Sequence, residues 1–185
     1  SFETLNNFPQ EMVRSYCLLT KKHSLSQFSP TVKATFTFIN LNLSSNLSVK
    51  KVANEIGLSP DHLTRLFKKE TGFNIITFIN KKRIDTSLEL LKTTDLSIAE
   101  IGDLIGLNNT SYFYTLFKKE TGMNLNRYIR VFRMKKAKEL LKNTNMKVAQ
   151  VSENVGFANV SYFCRSFREY YGCSPESYRK GTGED

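Results

Sequence analysis

Three clusters of basic side chains recur along the chain: Arg65, Lys68 and Lys69, then Lys118 and Lys119, then Arg165 and Arg168. They flank Phe67, Phe117 and Phe167, which fall 50 residues apart. Lysine is a point charge suited to phosphate, whereas the arginine fork can also donate two bonds to O6 and N7 of guanine. The chemistry within reach is therefore recognition of a polyanion, not the making of bonds. The two histidines, His23 and His62, lie far apart without metal-ligand spacing, and no glycine-rich phosphate loop or nucleophile motif occurs. Cys17, Cys164 and Cys173 are odd in number and lack CxxC spacing, so neither a disulfide framework nor a zinc site is expected. The chain reads as non-enzymatic, with no cofactor and no metal.

Lysine plus arginine number 27 against 17 acids, a formal net charge of +10. That balance favours nucleic acid or an anionic membrane surface, and charge alone does not choose between them. No run of 18 apolar residues exists, and the start lacks the basic, apolar, small-residue layout of a signal peptide. The expected compartment is the cytoplasm, with no membrane partner. At 185 residues and 40% hydrophobic content the chain can bury real cores.

The elements that must position the basic clusters follow from the repeat. Gly72, Gly122 and Gly172 are 50 apart, Gly57, Gly106 and Gly156 nearly so, and FKKETG at Phe67 to Gly72 recurs at Phe117 to Gly122. Each unit reads as a short helix, a glycine turn, a second helix and a further helical segment. Unit one spans residues 47–95, unit two 96–145 and unit three 146–180. A helical extension, 1–46, precedes them, and 181–185 is expected to be a flexible tail. Within the extension, Pro9 to Lys22 and Pro30 to Leu41 look like helices.

Helix periodicity and caps support this reading. Val49, Val52, Ala53 and Ile56 follow i, i+3, i+4, i+7 spacing, and Leu63, Leu66 and Phe67 form a second stripe. Ser59 before Pro60 reads as an N-cap, Ser97 with Glu100 as a capping box, and Asn74, Asn124 and Ser174 as caps of the third helices. Ala53, Gly102 and Ser152 occupy equivalent positions where a small side chain lets the second helix cross closely. The expected class is all-α: tandem helix-turn-helix units joined by long linker helices, a plan whose second helix enters the major groove of DNA.

LSVKKVANEIGLSPDHLTRLFKKETG (Leu47 to Gly72), the RI at Arg83 and Ile84, LSIAEIGDLIGL (Leu96 to Leu107) and VGFANVSYFCRSFREYYGCSPESYR (Val155 to Arg179) resemble the AraC/XylS family of transcription regulators. Such proteins typically carry two helix-turn-helix units joined by one long helix and set in adjacent major grooves. This chain has three, and unit two is a hybrid: Ser111, Tyr112 and Phe113 match the usual second unit, FKKETG the usual first.

The resemblance implies sequence-specific binding of double-stranded DNA in bacterial transcription regulation, with an effector bound by a regulatory region outside this chain. Carried over by position, it implies base reading by Asp61, Thr64 and Arg65 in unit one and by Val160, Ser161, Cys164 and Arg165 in unit three. Unit two offers Thr110, Ser111, Tyr112, Tyr114 and Thr115, without a charged fork. Lys68, Lys69, Lys118, Lys119 and Arg168 are expected at phosphate. Asp61 has a second reading as a first-turn helix charge, and Tyr112 and Tyr162 have one as core residues. Cys164 reads either as a small side chain near DNA or as a thiol whose pKa Arg165 and Arg168 lower. RNA polymerase, or another copy of the chain, is the alternative partner for one unit.

The predicted linkers, Asn74 to Lys92 and Asn124 to Lys142, would each span about 28 Å, approaching one turn of DNA. Ile84, Leu88 and Leu91, with Met134, Ala137, Leu140 and Leu141, would bury them. Lys81, Lys82, Arg83, Arg127, Arg130, Arg133, Lys135 and Lys136 would form a charged face, some reaching phosphate.

Overall fold

The computed structural model describes residues 27–181, and no strand occurs among them. The described helices are α1 (Pro30–Leu41), α2 (Val49–Ile56), α3 (Pro60–Thr71), α4 (Ile75–Thr93), α5 (Ile98–Leu104), α6 (Thr110–Thr121), α7 (Leu125–Asn143), α8 (Val148–Asn154), α9 (Val160–Tyr171) and α10 (Pro175–Arg179). The expected all-α class with tandem helix-turn-helix pairs is what the chain adopts. The helix expected over Pro9 to Lys22 lies outside the described residues.

Caps explain where the elements begin. Ser59 accepts from the His62 amide with Pro60 in the first turn, Ser97 and Glu100 form a complete capping box, and Ser174 accepts from the Ser177 amide. Asn74 accepts from the Ile76 amide, so it precedes α4, which starts one residue later than the spacing suggests. Ser48, Asn109 and Asn159 cap α2, α6 and α9 in the same way. Each cap satisfies an otherwise orphaned helix N–H.

The described residues form two compact bodies, 27–124 and 125–181. In the first, α1 packs on α2 and α3. Val32, Ile39, Val52, Ala53, Leu63, Phe67, Ile75, Phe78 and Ile79 fill the core. The Phe36 ring lies 5.5 Å from Phe67 and 5.0 Å from Phe78, and the Ser29 amide donates to Glu70 Oε2 at 2.9 Å. α1 is thus built into the same core as α3. The linker helix α4 then packs on both α5 and α6, with Ile84 and Leu88 buried and Leu91 half-buried.

In the second body, α7 supplies Met134, Ala137 and Leu141 to a core shared with Val151, Val155, Phe163 and Phe167. α10 closes it, the Tyr178 ring lying 5.8 Å from Phe167. The Tyr171 hydroxyl donates to the Met134 carbonyl at 3.3 Å.

One residue of the expected charged face is placed differently. Arg83 is only 7% exposed, and its Nη2 donates to the carbonyls of Leu43 at 3.1 Å and Ser45 at 2.8 Å. Those carbonyls would otherwise be poorly satisfied where the loop folds over α4, and a buried guanidinium is tolerated only with such acceptors. Arg83 therefore holds protein, not phosphate. Arg130, also expected on that face, pairs with Glu169 at 2.7 Å.

Candidate nucleic-acid interface

Helices α3, α6 and α9 are built alike. Each is 12 residues long, is capped at its start by a serine or asparagine and ends at a left-handed glycine. Leu63 and Phe67, Phe113 and Phe117, and Phe163 and Phe167 are fully buried on one face. Burial of each of these side chains stabilises by about 2–3 kcal/mol and fixes which face is left to solvent.

The candidate residues fall on the other face. Asp61, Arg65, Lys68 and Lys69 of α3 are exposed and Thr64 is half-buried. On α6, Thr110, Ser111, Thr115, Lys118 and Lys119 are exposed and Tyr114 is half-buried, and on α9 Val160, Ser161, Arg165 and Arg168 are exposed with Cys164 half-buried. Steps of four and three residues, as in Asp61, Arg65 and Lys68, keep these side chains on one stripe. Each helix thus joins its candidates, whereas position 64 and its counterparts 114 and 164 sit at the edge. The Thr115 hydroxyl donates to the Ser111 carbonyl at 3.0 Å, so this donor is turned onto its own helix.

Tyr112 and Tyr162 are 48% and 55% exposed, which settles their two readings in favour of the surface. Asn80 Nδ2 meets the Tyr112 hydroxyl at 3.5 Å, and the Tyr162 ring lies 5.9 Å from Phe157. Arg133 emerges beside α9. Its Nη1 donates to the Gly156 carbonyl at 2.8 Å and its guanidinium lies 5.7 Å from the Phe157 ring centre. With Asn159, Ser161, Tyr162 and Arg165 it lines a surface cavity of about 570 Å³. Sequence reading left Arg133 among general linker charges. The signal that would have found it is its spacing of 50 from Arg83.

The electrostatics weigh against one of the two readings of Cys164. Burial raises the Cys164 thiol above its ordinary value, Glu176 raises it further, and Arg168 offsets this only in part. The activation that the second reading requires is overridden because α10 and the core lie behind the thiol, and a thiol so placed is a poor nucleophile. DNA binding is accordingly expected to be unchanged by peroxide. Binding lost in the native chain but kept in Cys164→Ser would contradict this.

On α4, burial pushes the Asp85 carboxyl up to about 6, with Lys81 and Lys82 opposing and Glu120 and Glu89 adding to the rise. Its Oδ2 is buried without a hydrogen-bond partner among the described residues. The unfolded carboxyl titrates near 3.9, so the folded chain holds this proton more tightly. Stability from Asp85 is present at low pH and is lost as pH rises from about 4 through 6. After discounting for partial exposure, Asp85→Asn is expected to gain about 1 kcal/mol on the native chain between pH 5 and pH 7. Urea denaturation of both at the two pH values measures it, and a constant difference would refute it.

The helix-turn-helix domain family model matches residues 52–124 and again 114–181, together more than half of the chain. The chain belongs to the AraC/XylS-type helix-turn-helix family. Sequence-specific DNA binding in transcription regulation is the work of this family's domains, which are not themselves enzymes.

Among AraC/XylS-type relatives, regulatory protein PocR of Salmonella typhimurium is 37% identical over 82 residues, covering 44% of this chain and 27% of PocR. The bifunctional transcriptional activator/DNA repair enzyme AdaA of Bacillus subtilis is 31% identical over 78 residues, covering 42% of this chain and 37% of AdaA. The C-terminal domain of AraT, a response regulator from Geobacillus stearothermophilus, superposes with a TM-score of 0.55 at 35% identity, covering 57% of this chain and 88% of that domain. The chain therefore spans well under half the length of these curated relatives. The two family matches overlap at residues 114–124, the later part of α6 and the turn after it. This overlap parallels the hybrid sequence of unit two.

Proposed function

We propose that this chain binds double-stranded DNA sequence-specifically through α3, α6 and α9 in major grooves, and thereby regulates transcription without catalysis of its own. The observation that carries the reading is the threefold recurrence of one helix design: phenylalanines buried on one face and an exposed polar stripe, with basic residues at 68, 69, 118, 119 and 168, on the other. Arg65 and Arg165 read base edges, supported by Asp61, Thr64, Val160, Ser161 and Cys164. Lys68, Lys69, Lys118, Lys119 and Arg168 contact phosphate. Thr110, Ser111, Tyr114 and Thr115 add weaker contacts to thymine methyl groups or phosphate. Arg133 joins the unit-three contacts, because it shares a cavity with Arg165.

Among the described residues no group of three or more His, Cys, Asp or Glu side chains could hold a metal ion. No described helix is long and apolar enough to cross a membrane. A second reading has one observation in its favour: unit two exposes Leu104 at 52% and Tyr112 at 48% and carries threonine where its neighbours carry arginine. Unit two would then contact RNA polymerase or another copy while the other units hold DNA.

Selection of bound sequences from a random DNA pool, followed by footprinting, tests both. A recovered motif with protection over every unit's groove supports three-unit reading, and a gap at the middle groove supports the second reading. Failure to enrich any sequence removes both.

A further inference from the structure

Arg83 stands where three segments of the first body meet. It projects from the linker helix α4 and donates to the Leu43 and Ser45 carbonyls, in the loop that leads to the Ser48 cap of α2. On its other side is Gly106, in the turn that leads to the Asn109 cap of α6. Gly106 has φ +71°, and a Cβ there would come within 2.8 Å of Arg83 Nη2 and 2.5 Å of the Leu43 carbonyl oxygen. The loop entering unit one and the turn of unit two thus touch backbone to backbone, with the guanidinium wedged beside them.

We propose that Arg83 is the positioning residue that sets the spacing between the DNA half-sites read by α3 and α6. The proposal rests on the DNA reading above. Both bonds leave one nitrogen, Nη2, of a rigid planar group anchored on α4, so the guanidinium holds the loop in direction as well as distance, more tightly than a freely rotating ammonium would. With it in place, and with the Gly106 turn packed against it and the Leu43 carbonyl, the two helix-turn-helix pairs are held as one piece. Without it, apolar contact along α4 remains, and the pairs can pivot about that helix. The distance between recognition helices dictates half-site spacing, because each added base pair both translates and rotates the next half-site.

A related placement occurs in the second body, where Arg133, 50 residues on, lies beside Gly156 and donates to its carbonyl. Arg83 differs in its acceptors, which are Leu43 and Ser45 in the loop before unit one, while it meets the Gly106 turn by packing alone. They make the clamp a junction between units rather than a brace within one.

The test uses the full chain as native protein, Arg83→Lys and Gly106→Ala. The second variant attacks the junction from the opposite side, because its new methyl group must displace the Leu43 carbonyl and strain a left-handed backbone. Each protein is titrated with DNA carrying the selected half-sites at the preferred spacing and at one base pair more or fewer. The native chain is expected to prefer one spacing by about tenfold, comparable to one mismatched base pair. Both variants are expected to fall within about threefold across the three spacings.

A second measurement needs no DNA. Spin labels at the exposed positions Glu55 on α2 and Asp103 on α5, introduced as unnatural amino acids, should give a narrow distance distribution in the native chain and a broadened one in both variants. Retained spacing preference in the variants, uniform loss of affinity at all spacings, or unchanged distance widths would each overturn the proposal. If the native chain selects no sequence at all, the DNA reading falls and the spacing role falls with it. Broadened distances would then show that the junction, taken by itself, had been read correctly.

Discussion

Arg65→Ala and Arg165→Ala are each expected to relax base preference at one or two positions of the selected motif. The expected loss is about 1–3 kcal/mol of discrimination per position, the range for a bidentate arginine on guanine. Both arginines are exposed on helices whose opposite faces are locked by fully buried phenylalanines, so they are presented at a fixed angle rather than on mobile loops. Lys68→Ala, Lys118→Ala and Arg168→Ala should behave differently. Each should weaken all sequences about equally and lower the log-log salt slope by about 1. Repeated selection with each variant separates the two classes. An unchanged motif in both arginine variants would end the base-reading assignment even if affinity fell, because loss of affinity alone is what a phosphate contact gives. Thr115, whose hydroxyl already serves the Ser111 carbonyl, should lose little specificity as alanine.

Much of this arrangement was legible in the sequence because the repeat is written in residues with strict physical demands. Phe67, Phe117 and Phe167 must be buried, and Ser59, Ser97 and Asn74 announce helix starts by their own side chains. Burial of one face then dictates exposure of the other, so the basic stripes could be placed without coordinates. What was not legible depends on segments distant in the chain. Nothing near Arg83 says that the carbonyls of Leu43 and Ser45 will need a donor, so its charge looked like any other on the linker. Cys164 lies beside two arginines in sequence, yet burial and Glu176 from α10 decide its chemistry.

The number of units that engage DNA at once is expected to be three, and it can be read from the length of DNA protected. Tandem units repeat head to tail, so three engaged units require an asymmetric site of about three helical turns, roughly 30 base pairs, and a two-unit clamp only about two turns. The salt dependence should agree. With about three or four phosphates neutralised per unit, the log-log slope is near −8 to −11 for three units and near −5 to −7 for two. The place to cut the chain is after Asn124, the boundary between the two compact bodies. A cut further on, after α7, would strand Met134, Ala137 and Leu141 without Phe163 and Phe167, and the exposed apolar face would cloud the comparison. The full chain should protect one turn more than the chain ending at Asn124 and show a slope steeper by about 3. The second body also brings Arg165, Arg168 and the neighbouring Arg133, whereas unit two carries Thr115 where the other recognition helices have arginine. Its removal should therefore cost more affinity than silencing unit two through Lys118→Ala and Lys119→Ala. Identical footprints and slopes for the full and shortened chains would mean that unit three stays off the DNA, and the three-groove reading would have to be dropped.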